Sequence, residues 1–123
     1  MGSEGLHEPA ELLDHATIDH HRAVTSLVEE LEAIDWYDQR VKATDDSSLA
    51  DILAHNRDEE KEHASMTLEW LRRRDPTLDR HLRTYLFTSE PVTEVEAEAE
   101  AGGHPSGVEA SGSLGIGSLK GRE

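Results

Sequence analysis

Two stretches of this chain, from Pro9 to about Val41 and from about Ser48 to Arg74, contain nothing that interrupts helical periodicity. Pro9 suits the first turn of a helix. In the first stretch Val24, Leu27, Leu31 and Ile34 recur at spacings of three, four or seven, and Leu13 precedes Val24 by eleven. The short segment "KATDDSS" at residues 42–48 supplies a turn, and Asp46, Ser47 or Ser48 can cap the helix that follows. In the second stretch Leu49, Ile52, Leu53, Asn56, Glu60, His63, Thr67 and Trp70 fall in one stripe. "RRRDP" ends it, because basic residues favour a helix C-terminus and Pro76 cannot continue it. Two long helices joined by a short turn leave one principal solution, an antiparallel hairpin.

The rest of the chain adds little to bury. A third, shorter helix is expected after Asp75-Pro76, with Leu78, Leu82, Tyr85 and Leu86 on one face, ending before Ser89-Glu90-Pro91. Residues 93–112, "TEVEAEAEAGGHPSGVEASG", are acidic, small and rich in Gly and Ser, and they read as a flexible linker. Apolar residues return in "SLGIGSLKGRE". The organisation drawn from this is a helical domain over 1–97, a linker over 98–112 and a terminal peptide over 113–123. The fold class is all-α. Aromatics are only 4% of the residues, so a lone hairpin has a thin core and exposes its apolar stripe. A second copy covers that stripe most economically, giving a four-helix bundle from two chains.

Composition narrows the function. A net charge of −15 opposes binding to nucleic acid and to anionic membrane surfaces, and it attracts cations. With no cysteine there are no disulfides, Cys-type zinc sites or iron–sulfur clusters. No apolar run approaches the ~18 residues of a membrane helix, and "MGSEGLHEP" lacks an apolar signal-peptide core, so a cytoplasmic protein is expected.

Within that frame Glu60 and His63, three apart, stack on one helix face. They lie in the apolar stripe, whereas Glu59 and Glu62 fall off it and are expected in solvent. A carboxylate and an imidazole on a buried face need partners. Folding about residue 45 places Glu30 at the height of Glu60, so one hairpin offers two carboxylates and an imidazole at one level, with Tyr37 two turns along. Two hairpins about a two-fold axis offer four Glu and two His, the ligand set of di-iron carboxylate bundles. Two divalent cations would neutralise those four carboxylates. Against this, a lone Glu-x-x-His is common on helices, and composition and spacing leave both readings open. Glu29 and Glu32, on a face shared with Trp36, form either a solvated charged face or a staging site for hydrated cations. His15, His20, His21, His55 and His81 form no convergent set; surface or capping roles are expected of them.

Three segments carry a family resemblance: "EELEAIDWYDQR" at 29–40, "LAHNRDEEKEHASMTLEWLRR" at 53–73 and "HLRTYLF" at 81–87. Together, over about residues 8–97, they resemble the encapsulated ferritins, bacterial iron-oxidising cargo proteins. "SLGIGSLKG" resembles the short localisation peptides that dock cargo inside encapsulin shells. The resemblance implies a ferritin-like half-bundle whose ferroxidase centre assembles between two subunits, in a ring that is typically a decamer. By motif it makes Glu30, Glu60 and His63 the iron ligands, with Tyr37 close by and Trp36 beside the site. Glu29 and Glu32 match a secondary acidic metal site on the approach path. The implied activity is oxidation of Fe(II) by O2 at a di-iron site shared by two subunits, feeding storage inside an encapsulin nanocompartment. Ligand types alone also admit Ca, Zn, Mn or Co. The competing class is a non-catalytic helical adaptor or a passive metal-stabilised oligomer.

Overall fold

A computed structural model of the chain describes residues 5–102. Four α-helices follow one another: α1 (His15–Ala43), α2 (Ser47–Arg74), α3 (Pro76–Tyr85) and α4 (Val92–Ala101). Among the described residues there is no strand, and no helix is long and apolar enough to cross a membrane. The chain divides into two compact units, Met1–Arg74 and Asp75–Glu123.

The first unit is the hairpin. Pro9 opens only a short 3-10 turn, Ala10–Leu12, and not the long helix expected of it. The helix starts later because Asp14 caps it: its carboxylate accepts from the Thr17 N–H at 2.8 Å, meeting one of the donors a helix start leaves free. The Thr17 side chain first, then this bond, holds the Asp14 carboxyl below its ordinary range. At the turn, Asp46 takes the capping role, accepting from the N–H groups of Ser48 and Leu49 at 2.9 and 3.0 Å and from the Ser48 hydroxyl at 2.7 Å. The arms of 29 and 28 residues match in length, about 42 Å each.

Two contacts set how the arms run. Arg57 Nη1 on α2 meets Asp38 Oδ1 on α1 at 3.0 Å, and Thr67 Oγ1 lies 3.5 Å from Glu30 Oε2. From Arg57 to Thr67 α2 advances ten residues, while the partner on α1 retreats eight, from Asp38 to Glu30. The arms are antiparallel. Their register differs from a fold about residue 45: Glu30 faces Thr67, seven positions beyond Glu60. The simple midpoint neglects the offset between the arms and the lean of side chains toward each helix N-terminus.

The hairpin core is thin, as composition implies. Ala64 and Leu71, at 8% and 5% exposure, are its buried apolar residues. Val24, Val28, Leu31, Leu49, Ile52 and Met66 stay exposed, with Ile52 at 58%. Leu27, Ile34, Leu53 and Trp70 are half-buried, and Glu59 and Glu62 are in solvent as expected.

In the second unit, Asp75 caps α3 by accepting from the Leu78 N–H at 3.0 Å, and Pro76 takes the first helical position. Leu78, Leu82 and Tyr85 form its half-buried side. The helix ends at Tyr85, and Phe87 turns the chain with φ of 65°, fully exposed. The chain then departs from the linker reading: Val92–Ala101 is α4. Its Glu and Ala residues are strong helix formers, and neither Gly nor Pro interrupts them before Gly102. Polarity resembles that of a linker, but propensity decides the conformation. α4 lies against α3, and desolvation, then the charges of Glu96 and Glu100, pushes the Tyr85 phenol up. The linker beyond 102 and the peptide 113–123 lie outside the described residues.

Candidate metal centre

α2 presents Glu60 and His63 one turn apart, on the stripe that sequence spacing assigns to them. His63 Nδ1 lies 3.6 Å from Glu60 Oε1, too far for a hydrogen bond. Both side chains are partly covered, Glu60 more than His63. Neither is locked by the other, so both donor atoms can turn toward a shared cation.

Glu30 comes from α1 and is in an unusual position for a carboxylate. Its Oε1 is buried and has no hydrogen-bond partner. Its Oε2 has only the Thr67 hydroxyl at 3.5 Å, and that hydroxyl lies closer, at 3.1 Å, to the His63 carbonyl oxygen. A hydroxyl has one hydrogen to donate. Among the described residues the carboxylate is therefore almost without donors, a costly state unless a cation or another chain completes its surroundings. Carboxylate oxygen with imidazole nitrogen is a donor set that suits divalent iron, manganese, zinc and cobalt. The residues fit a metal.

They do not close a site within one chain. Among the described residues no group of three or more His, Asp or Glu converges to hold an ion. The expectation of Glu30, Glu60 and His63 at one level in a single hairpin is thus corrected by the register: Glu30 stands against Thr67, a turn past His63. Tyr37 is half-buried on α1, with the Arg40 guanidinium 5.6 Å from its ring centre. Glu29, Glu32 and Trp36 share one exposed line on α1, with Trp36 at 50% exposure.

Two groups escaped the sequence reading. Thr67 stood in the stripe as a spacer, although its hydroxyl bridges towards Glu30. Arg57 ties α2 to α1 through Asp38 while bonding Asp58 at 3.1 Å. Asp58 first, then Asp38, raises the Arg57 pKa. A partner 19 positions away gives no signal until the register is known. Of the other histidines, His55 lies 3.8 Å from Glu59 on the surface, and His15 and His81 are exposed. His7, His20 and His21 line an open 320 Å³ cleft with Glu8 and Thr17 near the start of α1.

A paired-helix scaffold offering carboxylates and imidazole from its long arms defines a ferritin-like, all-helical protein. The chain belongs to the EncFtn-like family, whose model matches residues 5–89. It is 59% identical over 129 residues to the encapsulated ferritin-like protein of Rhodospirillum rubrum, covering 98% of this chain and 91% of that one. It is 39% identical over 83 residues to the encapsulin nanocompartment cargo protein EncC of Myxococcus xanthus, covering 63% of this chain and 64% of that one. A crystal structure of a Nitrosomonas europaea protein superposes with a TM-score of 0.69 at 60% identity, covering 71% of this chain and 96% of that one.

Proposed function

We propose that this chain is a ferroxidase whose iron-binding centre is completed when two hairpins pair. The observation that carries the proposal is Glu30 Oε1, a buried carboxylate oxygen with no partner among the described residues. The uncovered apolar residues of the hairpin supply the reason to pair, since joining two such faces removes them from water. Pairing about a two-fold axis brings Glu30, Glu60 and His63 of one copy to the same three of the other. The two copies are proposed as the unit of a larger homo-oligomer, a ring-shaped decamer.

Fe(II) is the substrate. Each ion gives up one electron and O2 accepts it, and Fe(III) moves on to mineral. Glu30 and Glu60 supply the negative charge that stabilises the higher oxidation state, and His63 supplies a nitrogen ligand. Tyr37 and Trp36 flank the site on α1, and Glu29 and Glu32 hold hydrated cations on the approach. Calcium, zinc, manganese or cobalt occupies the same ligands without supporting the oxidation cycle of iron. Likeness to an encapsulin cargo protein supports a place inside an encapsulin nanocompartment, with residues 113–123 as the docking peptide.

The test is anaerobic addition of Fe(II) followed by air. Ferric absorbance is expected to grow faster than in a protein-free control, and equal rates reject the activity. Glu30→Ala, Glu60→Ala and His63→Ala are each expected to slow it by more than the ~10–100-fold typical of partners that merely support ligands. A protein that binds Fe(II) stoichiometrically without accelerating oxidation would be a passive metal-stabilised oligomer.

A further inference from the structure

Thr67 stands between the two arms of the centre. Its Oγ1 is 3.1 Å from the His63 carbonyl oxygen and 3.5 Å from Glu30 Oε2. Threonine in a helix commonly bonds back to the carbonyl four residues earlier, and here that carbonyl belongs to a candidate ligand. In an α-helix the same carbonyl is already the acceptor for the backbone N–H of Thr67. A carboxylate is the stronger acceptor, because charge-assisted hydrogen bonds are shorter and about twice as strong as neutral ones. A small approach of the Glu30 carboxylate therefore turns the hydroxyl hydrogen from the carbonyl to Oε2.

We infer that Thr67 is a positioning residue for Glu30: its hydroxyl holds Oε2 and leaves the buried, partnerless Oε1 as the oxygen offered to the cation. The inference rests on the reading of Glu30 as a metal ligand. It assigns the two oxygens of one carboxylate to different tasks. Because Thr67 lies one turn after His63, that bond also ties Glu30 on α1 to the helix that carries His63. Outer partners of this kind fix ligand orientation and raise affinity without touching the metal.

The experiment uses the full-length chain and Co(II), followed by visible absorption against a competing chelator, with no iron and no turnover. Thr67→Val keeps the shape and β-branching but removes the hydroxyl; Thr67→Ser keeps the hydroxyl. The expected result is that Val weakens Co(II) binding by about 10–100-fold and shifts its absorption bands, while Ser stays close to the parent. If Val binds as the parent does while Glu30→Ala loses binding, Thr67 is only a helix residue and the inference falls. Equal losses in Val and Ser overturn it too, since the hydroxyl then has no special part. Parent-like binding by Glu30→Ala would instead sink the metal-site reading on which it rests. Should Val fail to assemble, Thr67→Ala takes its place and is judged against Ser by the same criterion.

Discussion

Glu69 shows how single residues on α2 hold their charges without help from the centre. Its carboxylate accepts from Arg72 at 2.7 Å and from Arg73 at 2.7 Å, and these bonds, Arg72 first, lower its pKa from 4.5 to about 2. The folded value is depressed, so the stabilisation is fully present above pH 4.5 and is lost as pH falls through about 2. Solvent screens a group this exposed, and surface pairs of this spacing contribute about 0.3–0.5 kcal/mol. Glu69→Gln is therefore expected to flatten the acid limb of the melting-temperature profile between those two values, with little change at neutral pH. Parallel profiles for parent and variant would show that the arginines do not stabilise the fold through this carboxylate. Glu30 is the contrasting case, a carboxylate with an oxygen that no donor among the described residues satisfies.

At the level of elements, the hairpin depends on few buried contacts. Leu71, at 5% exposure, is its most buried side chain, and Ala64 allows the arms to approach closely. Leu71→Ala is expected to destabilise the folded protein by about 2–5 kcal/mol, measured by denaturant unfolding at fixed protein concentration. A loss well under 1 kcal/mol would mean that the site collapses around the gap and that the hairpin is held elsewhere. Helix starts follow their caps: Asp14, Asp46 and Asp75 each accept a backbone N–H at the first turn. The Arg57–Asp38 pair, close to the turn, fixes the relation of the arms one turn before Glu60. α4 forms where composition alone suggests a linker, because alternating Glu and Ala favour a helix even when it has little to bury.

On the scale of the whole molecule, incompleteness is the main property. Val24, Leu31, Ile52 and Met66 are exposed, and among the described residues the proposed ligands do not converge; the proposed pairing with a second copy answers both. A charge of −15 opposes that association unless cations gather at the junction. The proposal that residues 113–123 are an address, and not part of the chemistry, belongs to this scale as well. Deleting residues 113–123 is expected to leave Fe(II) oxidation intact while abolishing co-purification with a shell protein; normal loading would refute its role.

Local rules account for what could be read from the chain by itself. Periodicity and capping residues specify α2, α3 and the body of α1 though not its start, the placement of Glu60 and His63 on one face, and the solvent exposure of Glu59 and Glu62. Each depends on residues within a few positions of one another. Tertiary structure alone decided the rest. The register of the arms put Glu30 against Thr67, tied Arg57 to Asp38 and left Oε1 without a partner. Those relations join residues 19 and 37 positions apart, and a shift of one helical turn, about 5.4 Å, which leaves every local preference intact, would undo them all.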